Sequence, residues 1–151
     1  MSDVAIAVVS WNTRDLLRRC LESLAPLSEA GAADVWVVDN GSTDGSRELV
    51  RSAFPWVELV EPEENLGFGP AVNLVSRKTA GAWIVAANAD IEVTPGALEE
   101  LIRPAAGDGV GAVAPRLVMP DGRTQHSVHP FPSVGLALAF NLGLPALLPG
   151  L

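Results

Sequence analysis

The first part of the chain contains several short apolar runs that are nearly uncharged, and each run is followed by a polar break. Such runs stand at residues 4–10, 34–38, 57–60 and 82–87. Short runs rich in valine and isoleucine are typical of strands that are buried on both faces of a parallel sheet. Segments with helical spacing separate them, and this alternation predicts an α/β fold in which helices cover both faces of a mainly parallel sheet.

The helices are predicted from the spacing of apolar residues and from turn residues. Leucines and one cysteine recur at helical spacing after the first run, which predicts an amphipathic helix that ends before Pro26. A loop is then expected over residues 25–33. The later elements are predicted as helices at 46–53, 70–79 and 94–102, a fifth strand at 110–114, and a hairpin with an Asp-Gly turn at 117–125.

Composition limits the classes of function. The 151 residues include 10 basic and 18 acidic side chains, and the net charge of −8 argues against nucleic acid as a partner. Hydrophobic residues make up 48% of the chain, which is enough for a core, and the length fits one domain. The single cysteine, Cys20, excludes an internal disulfide and fits a reducing compartment. Neither a signal peptide nor a membrane span is predicted.

The last segment, residues 133–151, is apolar and carries no charged side chain. It fits a helix packed on the sheet, a segment lying on a membrane surface, or part of a core whose covering half is missing. We expect the third of these, in a chain that is truncated at its C-terminus.

Polar side chains follow the first two predicted strands. Ser10, Trp11 and Asn12 end the first, and Asp39 ends the second. Ligands of α/β sheets bind outside the carboxyl ends of the strands. Trp11 could stack on a nucleobase, and Asp39 could accept from a ribose hydroxyl or a base N–H. The alternatives are a tryptophan that packs its own loop and a helix-capping loop, which explains Asp44 better than Asp39.

Two later segments indicate similar chemistry. Asn65 and Gly67 lie in a loop whose glycines permit close backbone approach to a ligand, and Asn73 follows in the next helix. Asn88 and Asp90 end the fourth run with one alanine between them, so an extended backbone aims both side chains the same way. One carboxylate together with diphosphate oxygens suits Mg²⁺ or Mn²⁺. An ordinary strand-end cap is the alternative.

Taken together, these segments resemble the family 2 glycosyltransferases, which have the GT-A fold. The matching segments are, in order, VAIAVVSWN, the leucine helix, VWVVDNGSTDGS, ENLGFGPAVN and WIVAANADIEVTPGALEEL. The segment GAVAPRLVMPDGRTQHSVHPFP is most similar to the rhamnosyltransferase-type branch. The resemblance covers roughly residues 4–132. It implies a three-layer α/β sandwich with a mainly parallel sheet, the Rossmann-like fold of nucleotide-diphospho-sugar transferases.

The resemblance also implies ligands and roles. The donor would be a dTDP- or UDP-linked sugar, and the cofactor would be Mg²⁺ or Mn²⁺. Asp90 would be the main metal ligand, at the place of the family's DxD motif, where the first aspartate is here Asn88. The residues that would bind the nucleotide sugar are Ser10, Trp11, Asn12, Asp39, Asn65, Gly67, Asn73 and Asn88.

The reaction that the resemblance implies is inverting transfer of a sugar to a hydroxyl of a glycan or lipid-linked acceptor. In the family a carboxylate in a segment like G-x-F-D-E acts as the general base, and no such segment follows Gln125 here. We therefore expect residues 1–132 to be the nucleotide-sugar-binding core and residues 133–151 to begin a missing acceptor half. The general base is expected beyond Leu151.

Other interpretations stay open at this point. The missing base favours a non-catalytic nucleotide-binding or interaction module with the same half-fold. A third interpretation is a nucleotidyltransferase or a dehydrogenase. The absence of a GxGxxG motif and the presence of the N-x-D triplet argue against it. We expect a cytoplasmic protein, with peripheral contact at the inner face of the membrane and a homodimer as further alternatives.

Overall fold

Strands and helices alternate along the chain. The structure, a computed structural model, describes residues 2–105, 107 and 109–125. The elements are β1 (Val4–Ser10), α1 (Arg14–Glu29), β2 (Asp34–Asp39), α2 (Ser46–Ala53), β3 (Glu58–Val60), α3 (Phe68–Ser76), β4 (Trp83–Asn88) and α4 (Ala97–Ala105). The chain divides into two compact units, Met1–Arg103 and Pro104–Leu151.

The strands of the first unit form a parallel sheet in the order β3-β2-β1-β4. The chain moves outward from β1 to β2 and β3, and then returns across β1 to place β4 on its other side. Because crossovers between parallel strands are right-handed, this reversal predicts that α3 covers the opposite face of the sheet from α1 and α2. The α/β class with a mainly parallel sheet, predicted from the alternation of runs, is confirmed.

Separate apolar clusters lie on the two faces of the sheet. On one face, Ile6 and Val8 of β1 pack with Leu17 of α1. On the other face, Ala7 packs with Val75 of α3. Successive residues of β1 thus alternate between the clusters, as the pleat requires. Burial on both sides is the reason that this strand is a continuous apolar run in the sequence.

Helix α1 continues past Pro26 to Glu29, so the predicted end of the helix and the predicted loop after it are wrong. Pro26 has no N–H to donate to the carbonyl of Glu22, but both residues are exposed, so water can satisfy that carbonyl. Leu24 is buried and Leu27 packs against the same cluster. Core contacts on both sides of the proline therefore hold the helix together.

In the second unit, the predicted hairpin is confirmed and the predicted strand at 110–114 is wrong. Within the described residues 109–125, residues 110–114 are mostly exposed and have no strand partner, and an unpaired strand leaves its backbone groups unsatisfied. Val118 and Thr124 form an antiparallel bridge. The N–H of Gly122, which has φ of 81°, donates to the carbonyl of Met119 at 2.8 Å and closes the turn.

Across the described residues, no helix is both long enough and apolar enough to cross a membrane. The apolar segment 133–151 lies outside the described residues. The alternatives for that segment, and the domain boundary after residue 132, therefore stay predictions.

Candidate functional site

The polar ends of three strands meet at one edge of the sheet. Ser10 at the end of β1 is in register with Asp39 at the end of β2, and Val9 is in register with Asn88 at the end of β4. The strand order reverses between β1 and β4. In open α/β sheets, ligands bind outside the carboxyl ends of the strands at such a reversal. The fold therefore brings Ser10, Asp39 and Asn88 to the expected place of a ligand.

The carboxylate of Asp39 is buried, and its two oxygens differ. The side chain is 1% exposed. Oδ1 accepts from the N–H groups of Gly41 (3.1 Å) and Ser42 (2.7 Å) and from Nε of Arg47 (3.0 Å). Oδ2 is also buried, and it has no hydrogen-bond partner among the described residues. An unpaired buried acceptor costs about 1–3 kcal/mol, so a ligand N–H or O–H that reached Oδ2 would be strongly favoured.

Arg47 is a site residue that the sequence reasoning missed. Its Nε lies 3.0 Å from Oδ1 of Asp39 and 3.6 Å from Oε1 of Glu61. The hydrogen bond to Asp39 is the largest of the effects that raise the pKa of Arg47. A cation in the first turn of a helix is opposed by the helix dipole, and this unfavourable position is the signal that could have identified it.

Asn12 connects the loop after β1 to the loop after β2. Its N–H donates to Oγ of Ser42 at 2.9 Å, and its Oδ1 accepts from the N–H of Thr43 at 2.8 Å. Asn12 has φ of 53°, a left-handed conformation that asparagine tolerates better than most residues. Its amide oxygen is thus engaged within the protein, and a contact of Asn12 with a nucleotide sugar stays a prediction.

Asp44 joins the same two loops. Its Oδ2 accepts from the N–H of Arg14 at 2.8 Å, and its Oδ1 accepts from the N–H (3.0 Å) and Oγ (2.6 Å) of Ser46. Burial raises the pKa of Asp44, but the hydrogen bonds from Ser46 and Arg14 outweigh it and lower the pKa below its ordinary value of 3.8. One carboxylate therefore satisfies the first N–H groups of α1 and α2 together.

Ser10 and Trp11 are neighbours in different environments. Ser10 is buried, and its Oγ lies 3.0 Å from Oγ1 of Thr13. Trp11 is 58% exposed, although it lies directly after a buried strand. A tryptophan that only packed its own loop would be covered, so the exposed ring argues against that alternative, and stacking on a nucleobase stays a prediction.

The loop before α3 contacts the end of β2. Oδ1 of Asn65 accepts from the N–H of Gly67 at 2.9 Å, and Gly67 has φ of 76°, which favours glycine. Nδ2 of Asn40 donates to the carbonyl of Gly67 at 3.3 Å. Asn65 and Gly67 are therefore connected to the site through Asn40. Asn73 is exposed on α3, and within the described part of the chain no side-chain hydrogen bond connects it to these residues.

Asn88 and Asp90 are exposed at the end of β4, and the alanine between them is buried. In the part of the chain that the structure describes, no hydrogen bond engages the Asp90 carboxylate, and no three His, Cys, Asp or Glu side chains cluster as in an all-protein metal site. Mg²⁺ commonly takes one or two carboxylates and completes its shell with water and substrate phosphates. The residues present fit a divalent cation of that kind, with Asp90 as the carboxylate.

The backbone that follows Asp90 is fixed against α1. The N–H of Val93 donates to Oγ of Ser23 in α1 at 3.0 Å, and Ile91 packs on the core. Because the preceding strand is paired with β1, the Asp90 turn is held from both sides. The carboxylate therefore projects from a well-supported backbone, which a metal ligand at this position would require.

Comparison with known proteins identifies a family. Residues 5–144 match the sequence profile of the family described as Glycosyl transferase family 2. The N-acetylglucosaminyl-diphospho-decaprenol L-rhamnosyltransferase of Mycobacterium tuberculosis is 32% identical over 89% of this chain and 48% of its own length. The succinoglycan biosynthesis protein ExoU of Rhizobium meliloti is 30% identical over 85% of this chain and 37% of its own length. The resemblance to family 2 and to its rhamnosyltransferase-type branch is confirmed.

Solved structures agree with this result. The mannosyltransferase PcManGT of Pyrobaculum calidifontis, solved with GDP-Man and Mn²⁺, is 28% identical with a TM-score of 0.66, over 72% of this chain and 34% of its own. The glucosyl-3-phosphoglycerate synthase of Mycobacterium tuberculosis, solved with UDP, is 24% identical with a TM-score of 0.59, over 70% of this chain and 41% of its own. The predicted GT-A fold is confirmed.

The chain spans about half the length of the mycobacterial rhamnosyltransferase that it matches, and a smaller share of ExoU. The family match covers most of the chain, including the four strands of the described sheet, apart from Val4, and the polar residues at their ends. Sequence and fold therefore lead to the same conclusion: this protein belongs to glycosyl transferase family 2.

Proposed function

We propose that this chain binds a nucleoside-diphosphate sugar and that the whole protein transfers the sugar to a hydroxyl acceptor. The observation that carries this proposal is the meeting of three strand ends at the reversal of strand order. Asp39, Trp11 and Asp90 belong to these strand ends. They supply an acceptor for a base or ribose, a ring for stacking, and a hard oxygen for a metal.

The nucleoside would be bound at the ends of β1 and β2. Oδ2 of Asp39 would accept from the base or from a ribose hydroxyl, since it is the oxygen without a partner. The exposed ring of Trp11 would stack on the base, and such stacking contributes about 1–3 kcal/mol per base. The loop with Asn65 and Gly67, together with Asn73, would line the rest of the donor pocket.

The diphosphate would lie at the end of β4. Asp90 would hold Mg²⁺ or Mn²⁺ together with phosphate oxygens, and the neutral Asn88 would limit the negative charge beside the diphosphate. A bound metal supplies Lewis-acid stabilisation of the leaving diphosphate. PcManGT, which was solved with GDP-Man and Mn²⁺, supports this pairing of donor and metal.

The acceptor step is proposed to be inverting. Its carboxylate base would lie in a part of the protein that corresponds to the half of the mycobacterial relative's length that this chain does not span. The mycobacterial relative's name describes transfer of L-rhamnose to N-acetylglucosaminyl-diphospho-decaprenol. That relative supports a lipid-linked acceptor here. A cytoplasmic location at the inner face of the membrane belongs to the same proposal, and the single cysteine is consistent with it.

A thermal-shift panel tests donor binding. UDP, dTDP, GDP, CDP and ADP are each added with and without Mn²⁺. We expect UDP or dTDP with Mn²⁺ to raise Tm by about 5–10 °C at saturating concentration, more than nucleotide or metal alone. If no nucleotide changed Tm in either condition, the proposed function would be wrong.

The Trp11→Ala and Trp11→Phe variants sharpen the test. Trp11 is exposed, so the alanine variant should keep the Tm of the free protein but bind UDP about tenfold more weakly. Phenylalanine keeps a stacking ring and should restore most of the affinity. Equal affinities of wild type and the alanine variant would contradict stacking at this position.

The alternative function, a non-catalytic binding module, predicts the same thermal shifts without turnover. Release of the nucleoside diphosphate from UDP- and dTDP-sugars by the whole protein, in the presence of Mn²⁺, distinguishes the two functions, because the base is proposed to lie outside the part that this chain spans. We expect release for the enzyme, and binding with no release in the presence of acceptor lipid would favour the module.

A further inference from the structure

Arg47 occupies a position in α2 that is unfavourable in isolation. It is the second residue of the helix Ser46–Ala53, where the positive end of the helix dipole opposes a cation. Its Nε nevertheless donates to Oδ1 of Asp39 at 3.0 Å. A cation at the unfavourable end of a helix indicates a compensating partner, and Asp39 is that partner.

Arg47 compensates the charge of Asp39 more than it fixes the orientation of the carboxylate. The N–H groups of Gly41 and Ser42 already donate to Oδ1 and fix the direction of the carboxylate. The side chain is 1% exposed, whereas that of Arg47 is 32% exposed. A buried carboxylate is costly unless a cation pairs with it. Arg47 is the cation that the described residues bring to it.

A second carboxylate contacts Arg47 from another element. Oε1 of Glu61, which follows β3, lies 3.6 Å from Nε of Arg47, and its Oε2 pairs with Arg51. Arg51 lies one helical turn after Arg47 on α2 and is 57% exposed. Within the described residues, Arg47 joins Asp39 to Glu61, whereas Arg51 pairs with Glu61 alone. Arg51 is therefore a control that matches Arg47 in charge and in its contact with Glu61, although it lies in the last turn of α2.

We infer that Arg47 is a positioning residue for nucleotide recognition: it compensates the charge of Asp39 and leaves Oδ2 as an acceptor for a base N–H. This inference rests on the proposed function. An ionised carboxylate only accepts hydrogen bonds. It therefore favours uracil, thymine or guanine, which carry a ring N–H, over cytosine, whose corresponding ring nitrogen is itself an acceptor.

The test compares Arg47→Met, Arg47→Lys and Arg51→Met by calorimetric titration of the full chain with UDP and with CDP, in the presence of Mn²⁺. We expect Arg47→Met to weaken UDP binding about tenfold and to reduce the preference for UDP over CDP. Arg47→Lys keeps the charge and should retain most of the UDP affinity and most of the preference for UDP over CDP. Arg51→Met should leave UDP binding within about twofold of wild type, because exposed ion pairs contribute little.

A double-mutant cycle with Asp39→Asn shows whether Arg47 acts through Asp39 or only supports the structure in general. Once Asp39 is neutral, Arg47→Met should cause no further loss of UDP affinity, since contacting residues are energetically coupled. Equal losses in both backgrounds, or equal losses for Arg47→Met and Arg51→Met, would overturn the inference. If Arg47→Met does not fold, the same cycle is measured with Arg47→Gln, which also removes the charge.

The outcomes also separate this inference from the proposed function. If the wild-type chain binds none of UDP, dTDP and GDP, both are wrong. If it binds UDP and the cycle shows no coupling, only the assignment of Arg47 is wrong. Where GDP is the nucleotide that binds, the cycle is measured with GDP, and the same coupling is expected because guanine also carries a ring N–H.

Discussion

The amide oxygen of Asn12 accepts a 2.8 Å hydrogen bond from the N–H of Thr43, and Asn12 makes this contact from a left-handed backbone conformation with φ of 53°. The Asn12 N–H also donates to Oγ of Ser42 in the same loop. These bonds connect the backbone next to Trp11 with the loop that follows Asp39. One asparagine therefore supports both sides of the proposed nucleoside site.

Substitution of Asn12 should separate backbone strain from the lost hydrogen bond. Asn12→Ala loses the acceptor and places an ordinary side chain in the left-handed region, so we expect a destabilisation of about 2 kcal/mol. Asn12→Gly loses the acceptor but adopts the conformation freely, so we expect about 1 kcal/mol. Urea unfolding monitored by tryptophan fluorescence measures both. Equal losses would show that strain contributes nothing at this position.

Asp90 should be required for the effect of metal on stability. In Asp90→Ala, the additional rise in Tm that Mn²⁺ gives in the presence of UDP should disappear, because the one protein carboxylate of the proposed metal site is removed. Glu92→Ala is the matched control, since Glu92 lies two residues away and is 63% exposed. It should keep the shift. If Asp90→Ala kept the shift as well, the metal assignment would be wrong.

Gly81 should not tolerate a side chain. A Cβ at this position would lie 2.9 Å from the backbone carbonyl oxygen of Asp3, which also accepts from the N–H of Trp83 at 3.0 Å. Gly81→Ala must therefore displace a paired backbone, and we expect a loss of about 1–3 kcal/mol in urea unfolding.

Gly69→Ala is the control for Gly81→Ala. Gly69 lies in α3, where a Cβ would meet nothing within 4 Å. Alanine has the higher helix propensity, so a gain of up to about 1 kcal/mol is expected. A similar loss in both variants would contradict the steric explanation for Gly81.

Cys20 should be unreactive until the chain unfolds. Burial, and then the charges of Asp90 and Glu92, raise the pKa of its thiol from 9.0 to about 12. At pH 9 we expect iodoacetamide to modify the protein quickly in urea and very slowly without it. Rapid modification of the native protein would contradict the burial of this thiol.

The same shift affects stability at high pH. Between pH 9 and 12 the thiol ionises in the unfolded chain but stays protonated in the folded chain. The unfolded state then binds fewer protons, so the contribution of Cys20 to the free energy of unfolding falls as pH rises through this range. Urea midpoints of wild type and Cys20→Ala, compared at pH 8 and pH 10.5, measure this. The wild type should lose more stability than the variant.

The site residues that could be predicted from the sequence have a local marker, and those that were missed do not. Trp11, Asp39 and Asp90 could be selected from the sequence because each follows an apolar run that predicts a strand, and the ends of parallel strands share an edge. Arg47 and Thr43 have no such marker. Both lie among turn and helix residues whose ordinary interpretation is local capping, so only the fold reveals their partners.

The sequence by itself determined the order of the four sheet strands and the helices between them, and the polar residues at the strand ends. These properties are local, because strand and helix periods are encoded by residues that are neighbours in the chain. Only the tertiary structure decided that α1 continues past Pro26, that residues 110–114 form no strand in the described chain, and that Asn12 is bound by Thr43. Each of these depends on contacts with distant residues: core packing, a missing strand partner, and a loop 31 residues away. The strength of such contacts is set by the folded geometry rather than by the local pattern.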